Sequence, residues 1–379
     1  MTDALPHWHA KTRLFRENRS KQTEINRAEA DPTSRTALVL SGGAPNAALM
    51  AGALVAFAEA GVTFDVVSAS GAGGLIGLLW LAPKNGDPVA ALTGWLDAYV
   101  DDRIYDLFPV DYKVFFKPGP AAEAYRALLA ANPWLQAARE MPLPDPWRRL
   151  WRDWFDLVGA TFSPSDLSPN SPGLCARVPW ADTLVDFERI RHIAPHFYLN
   201  AYNVTRHRVD NFRKDQITLD HFKAAFAFPF IYGPYSIGED TYYEGASQDC
   251  LNFKDLTERH PNLDTIVVFD LLGKHELIRP PRDLYDSWVL SMIIPLVAVA
   301  EDDLELFKLK HLENVKSRSE HHKLDLLEMP FDIPPEKMET VLDWSYSNGR
   351  DLFDIGRASA RRFLAQHPEL LPATRKGKK

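Results

Sequence analysis

Thr36-Ala-Leu-Val-Leu-Ser-Gly-Gly-Ala-Pro-Asn-Ala47 and Phe64-Asp-Val-Val-Ser-Ala-Ser-Gly-Ala-Gly-Gly74 each leave an apolar strand through a Ser-Gly turn and re-enter a helix. A turn of this kind points unpaired backbone N–H groups at one spot, which suits developing negative charge. The second turn also sets a serine, Ser70, at the strand-to-helix corner where acyl-transfer enzymes hold their nucleophile.

Working outward, Ala37–Leu40 is continuously apolar, as expected of a parallel strand covered on both faces. The Ala-rich stretch Asn46–Ala60 predicts a helix, with Gly61 as its left-handed C′ residue. Gly71–Ala82 predicts a second helix, apolar nearly all round and stopped by Pro83. Glycines 73, 74 and 77 within it each cost roughly 0.5–1 kcal/mol relative to alanine, so they mark close backbone packing. Two strand–helix units in series make a right-handed βαβ and an α/β fold.

Residues 100–180 are rich in proline and aromatics, with helices expected over Ala121–Ala131 and Trp147–Val158. The segment reads as a helical insertion: a cap over the site, or a structural piece with its own small core. Strands are expected at His196–Val204, Asp240–Ala246 and Asp264–Asp270, and helices at Asp220–Phe228 and Lys337–Leu364. The organisation is then a peripheral arm (1–34), an α/β domain (35–365) holding the 100–180 insertion, and a polar basic tail (366–379).

Of the 379 residues 46% are apolar and 25% charged, ordinary for a globular chain. The net charge of −8 argues against a nucleic-acid partner. Cys175 and Cys250 form neither a disulfide framework nor a metal spacing, so a reducing, cytoplasmic setting is expected. The N-terminus has no apolar signal-peptide core. Trp288–Ala300, the longest apolar run, is too short to span a bilayer and reads as a buried or interfacial helix. His192 and His196 are separated by Pro195, and His321-His322 lies among charges, so no metal site is expected. Neither turn fits G-x-G-x-x-G and no P-loop occurs, so no nucleotide cofactor is expected.

In order and spacing these motifs resemble the patatin-like phospholipase family over about Thr36–Phe363. Ser41–Ala44 is similar to its glycine-rich oxyanion loop and Phe64–Gly77 to its nucleophile strand-turn-helix. Val185–Glu188 and Asn200–Thr205 resemble its middle strands, Ala224–Pro229 to Tyr243-Glu-Gly-Ala246 its Asp-Gly segment, and Val341–Leu364 its C-terminal helix. The resemblance implies a mostly parallel sheet with helices on both faces. It implies a serine-type acyl hydrolase of lipid carboxylic esters, working through a serine–carboxylate dyad without histidine or cofactor. Ser70 would attack, and Glu244 or Asp249 would take its proton, with Asp240 a poorer base. The oxyanion would lie at Gly42, Gly43 and Ala44. An acyl lipid is the expected partner, with peripheral membrane contact through the tryptophan-rich insertion.

Three departures from the pattern bear on this. Ala44 and Asn46 replace a glycine and a basic residue of the oxyanion loop. Glu244 replaces the aspartate, and the extra methylene must be absorbed by about 1 Å, a misplacement able to cost on the order of 100-fold. Aligned without a gap, the family's serine falls on Gly71; with one residue deleted it falls on Ser70. Ser70 has a second reading, as an N-cap to the N–H of Ala72 or Gly73. The alternatives are therefore an inactive relative that binds lipid or acts as a scaffold, and an acyltransferase on the same fold.

Overall fold

Among the described residues eight strands form one sheet. They are β1 (Thr36–Leu40), β2 (Val66–Ala69), β3 (His196–Asn203), β4 (Arg208–Arg213), β5 (Tyr235–Ile237), β6 (Asp240–Glu244), β7 (Thr265–Phe269) and β8 (Asp325–Glu328). The structure is a computed structural model that describes residues 30–176, 181–254, 256–272, 275–313 and 324–372. The arm before residue 30, His321-His322 and the tail after 372 lie outside the described residues.

Neighbouring strands run β5-β6-β3-β2-β1-β7-β8, with β4 also paired to β3. The β1–β2, β1–β7, β2–β3 and β7–β8 pairs are parallel, and the pairs β3–β4, β3–β6 and β5–β6 are antiparallel. The fold is therefore α/β with a mostly parallel sheet. Alternation along each strand splits the core. Leu38 and Leu40 pack with helices α1 (Ala47–Glu59) and α2 (Ala72–Leu81). Ala37, Val39, Ile266 and Val268 face Leu251, Phe253 and Leu256 on the other side. Helices α3 (Pro120–Ala131) and α4 (Asp145–Phe162) belong to the insertion.

The register along β3 fixes where the candidate site forms. Tyr198–Asn203 pairs with β4 along one edge. The other edge is shared: β2 pairs up to Ala69↔Leu199, and β6 pairs down to Glu244↔Ala201. Because β2 runs parallel to β3 and β6 antiparallel, the two strands run head-on and stop at Asn200. The chain leaves both strands in turns at that point.

Two expectations need correction. The apolar run at Trp288–Ala300 is part of a 25-residue helix, α5 (Leu284–Lys308), long and apolar enough by length and composition to cross a membrane. Leu290, Ile293, Val297 and Ala300 form a buried stripe on α5 that packs into the core. The last long helix, α6 (Tyr346–Gln366), begins nine residues after the expected Lys337. Val100 holds the preceding segment extended: its N–H donates to the Trp344 carbonyl at 2.8 Å, and its carbonyl accepts from Tyr346 N–H at 2.7 Å. Helices α1 and α6 cross where glycines allow contact, since a Cβ on Gly52 would strike the Phe353 carbonyl and one on Gly356 the Leu49 carbonyl.

Candidate active site

Residue 71, not residue 70, stands at the corner between β2 and α2. Gly71 has a φ of 47° with an unusual ψ, a conformation that strains any residue with a side chain. Ser70 is fully buried. Its hydroxyl donates inward, at 2.7 Å from Asn200 Oδ1 and 3.0 Å from the Asp249 carbonyl. Its own carbonyl accepts the Gly73 N–H at 2.9 Å, and its side chain makes no helix cap. Both sequence readings of the Ser70 hydroxyl, at the outer corner and as an N-cap, are thus replaced by a hydrogen bond into the interior. The one-residue offset follows from β2, which keeps regular pairing through Ala69 and leaves the bend to the glycine.

Asn200 clasps the two turns. Besides accepting from Ser70, its amide donates to the Asp249 carbonyl at 2.8 Å. Gly245 packs so tightly on it that a Cβ there would overlap the Asn200 amide. Asp249 reaches this corner through its backbone carbonyl.

Glu244 ends β6 and meets the corner directly. A Cβ on residue 71 would fall on Glu244 Oε1, so the glutamate occupies the volume a serine side chain would need. Glu244 is 9% exposed, and its carboxyl has no hydrogen-bond or ion-pair partner among the described residues. Burial pushes its pKa up to about 8, so at neutral pH it is mostly a neutral acid. Of the two expected bases, Glu244 is the one whose carboxyl faces the corner glycine.

The first glycine turn lies alongside. Gly42 N–H donates to the Cys250 carbonyl at 3.2 Å, which removes it as an oxyanion donor. Gly43, at φ 123°, and Ala44 keep backbone N–H groups with no partner among the described residues, and Ala44 is exposed. Asn46 donates to the Leu271 carbonyl at 3.0 Å, and its Oδ1 is buried without a partner. What the arrangement offers is two backbone donors, a helix N-terminus and a neutral carboxylic acid around a corner that has no nucleophile at residue 71.

A cavity of about 1330 Å³ lies under the insertion, walled by Phe115, Phe116, Leu157, Leu174, Phe230 and Trp288. None of Gly42, Gly43, Ala44, Ser70, Gly71, Glu244 or Asp249 lines it. Two basic residues at its wall, Lys117 and Arg126, escape sequence reasoning because the segment that carries them has no motif around them. Among the described residues no cluster of His, Cys, Asp and Glu could hold a metal ion.

The family described as patatin-like phospholipase matches residues 38–256. That family's members are in general hydrolases of lipid esters. Among solved structures the chain is similar to VipD from Legionella pneumophila, at 15% identity over 86% of this chain and 67% of that one, with a TM-score of 0.33. No curated protein sequence matches the chain.

Proposed function

We propose, from the premise that this chain belongs to the patatin-like phospholipase family, that it binds acyl lipids without forming a serine acyl-enzyme. The observation carrying this is the Gly71–Glu244 pair: the corner residue has no hydroxyl, and a glutamate oxygen fills the space one would take. Ser70 offers no substitute, because its hydroxyl is fully buried and donated inward. The N–H groups of Gly43 and Ala44 remain able to receive a lipid carbonyl or head-group oxygen. An acyltransferase would need the same nucleophile and meets the same objection.

The test is a fluorophosphonate probe on the folded chain, followed by peptide mapping. Absence of a serine adduct, together with retention of acyl lipid, supports the reading. An adduct on Ser70 that disappears in Ser70→Ala overturns it.

One observation favours a second reading, hydrolysis without a serine. Glu244 presents an oxygen at the serine's place and could activate water there. Held as a neutral acid up to about pH 8, it would serve as a base only as pH rises through that value. Lipid-ester turnover that grows with pH, vanishes in Glu244→Gln and survives Ser70→Ala would select this reading over the first.

Peripheral membrane contact belongs to the proposal as well. Trp134, Trp147, Trp151 and Trp154 of the insertion are exposed, and tryptophan favours a surface half apolar and half wet.

A further inference from the structure

We propose that the cavity under the insertion is a second ligand site, for a single-chain anionic amphiphile whose head group is held by Lys117 and Arg126. It stands apart from the Gly71–Glu244 corner, none of whose residues lines it. The inference therefore does not depend on how that corner is read.

Size and lining set the tail. The cavity, at about 1330 Å³, has room for a long chain. It exceeds the usual span of small-molecule pockets. Its aromatic and aliphatic walls, from Phe115 and Phe116 to Phe230 and Trp288, suit a long hydrocarbon chain rather than a sugar or nucleotide.

Charge sets the head. Six cations line the cavity, and three of them are paired with carboxylates. Arg139 pairs with Asp156 at 2.6 Å, Arg152 with Asp97 at 3.3 Å, and Lys113 with Asp153 at 2.9 Å. Lys117 differs. Its ammonium donates only to carbonyls at the end of α4, those of Thr161 at 2.8 Å and Ser163 at 3.0 Å. Two of its three protons are thus used, and no carboxylate among the described residues neutralises it. Arg126 lies beside it, donating to the Lys117 carbonyl at 2.9 Å with its guanidinium 5.1 Å from the Phe116 ring centre. Both side chains are half-buried, where an ionic hydrogen bond is stronger than in water. A carboxylate or a phosphate monoester fits this pair, and a neutral head group does not.

The experiment uses the full chain and displacement of fluorescent cis-parinaric acid by oleate, oleoyl lysophosphatidate or oleyl alcohol. Both anions should displace the probe better than the alcohol, and the stronger of the two identifies the head group as carboxylate or phosphate. Lys117→Gln should weaken the anions about tenfold or more and leave the alcohol unchanged, with Lys117→Arg restoring most of the loss. Ala160→Trp, which puts a bulky ring into the cavity wall, should weaken all three; if it fails to fold, the Lys117 comparison decides alone. The proposal is overturned by no displacement in the wild type. It is equally overturned if Lys117→Gln weakens charged and uncharged chains alike, as a cation serving only α4 would, or if Glu244→Gln rather than Ala160→Trp weakens binding.

Discussion

Glu244 faces Gly71 across the point where β6 and β2 run head-on along one edge of β3, and its carboxyl fills the space of the side chain that Gly71 lacks. The two residue types are complementary. An aspartate would leave a hole here, and a serine at residue 71 would collide with the glutamate. A side chain at residue 71 therefore requires the glutamate tip to move away.

Reversing both departures should therefore rebuild a reactive serine, and reversing one should not. Gly71→Ser alone places a side chain on Glu244 Oε1 at a φ of 47°. The backbone strain is about 1–3 kcal/mol, and the glutamate tip must also swing away. We expect that variant to be destabilised and unlabelled by fluorophosphonate. Gly71→Ser with Glu244→Asp withdraws the carboxyl by one methylene and should label at residue 71. An unlabelled but folded double variant would remove the steric account.

The buried acid also predicts the pH dependence of stability. Glu244 has a folded pKa of about 8 against an ordinary value of 4.5, so the folded state holds the proton more tightly than the unfolded one. Stability from this group is complete below about pH 4.5 and falls as pH rises towards 8. Asp111, raised to about 7, and Asp303, raised to about 6, act in the same direction. The decisive quantity is thus the difference between wild type and Glu244→Gln. The variant should gain several kcal/mol relative to wild type between pH 5 and pH 8, read by denaturant titration. A constant difference across that range would contradict the burial of the carboxyl.

The Asn200 clasp is structural, and its loss should separate folding from ligand binding. Ser70→Ala removes one buried hydroxyl and leaves Asn200 its bond to the Asp249 carbonyl. The expected loss is about 1 kcal/mol, the net worth of one buried hydrogen bond. Asn200→Ala removes both links and should cost more. Lipid binding by folded Ser70→Ala should equal that of wild type, measured by the same displacement assay. A binding loss in Ser70→Ala without a stability loss would return Ser70 to the site.

How much of this is legible in the sequence depends on distance along the chain. Continuous apolar runs with glycine and proline punctuation are local signals, and β1, α1, β2 and α2 lie where those signals put them. The start of α6 depends on Val100, over two hundred residues away, and no local pattern marks it. At the corner the sequence leaves residues 70 and 71 both open, because only a backbone torsion separates them. That Glu244 meets Gly71 follows from β2 and β6 sharing an edge of β3, a relationship of register alone. The cavity draws its lining from Lys84 to Trp288 and has no signature at all.

Exposed tryptophans on the insertion give the last prediction. Trp134 is 84% exposed, and Trp147, Trp151 and Trp154 on α4 are each more than 40% exposed, as are Leu128 and Phe162. Side chains this large are rarely left in water together unless the surface meets something apolar. If that partner is a bilayer, the rings lie at the head-group level, where an indole is both apolar and able to donate. Replacing Trp147, Trp151 and Trp154 by alanine should lower co-sedimentation with phosphatidylcholine vesicles several-fold. Being exposed, the three changes should move the melting temperature little. Binding to vesicles that is unchanged in the triple variant would assign the aromatic face to another role.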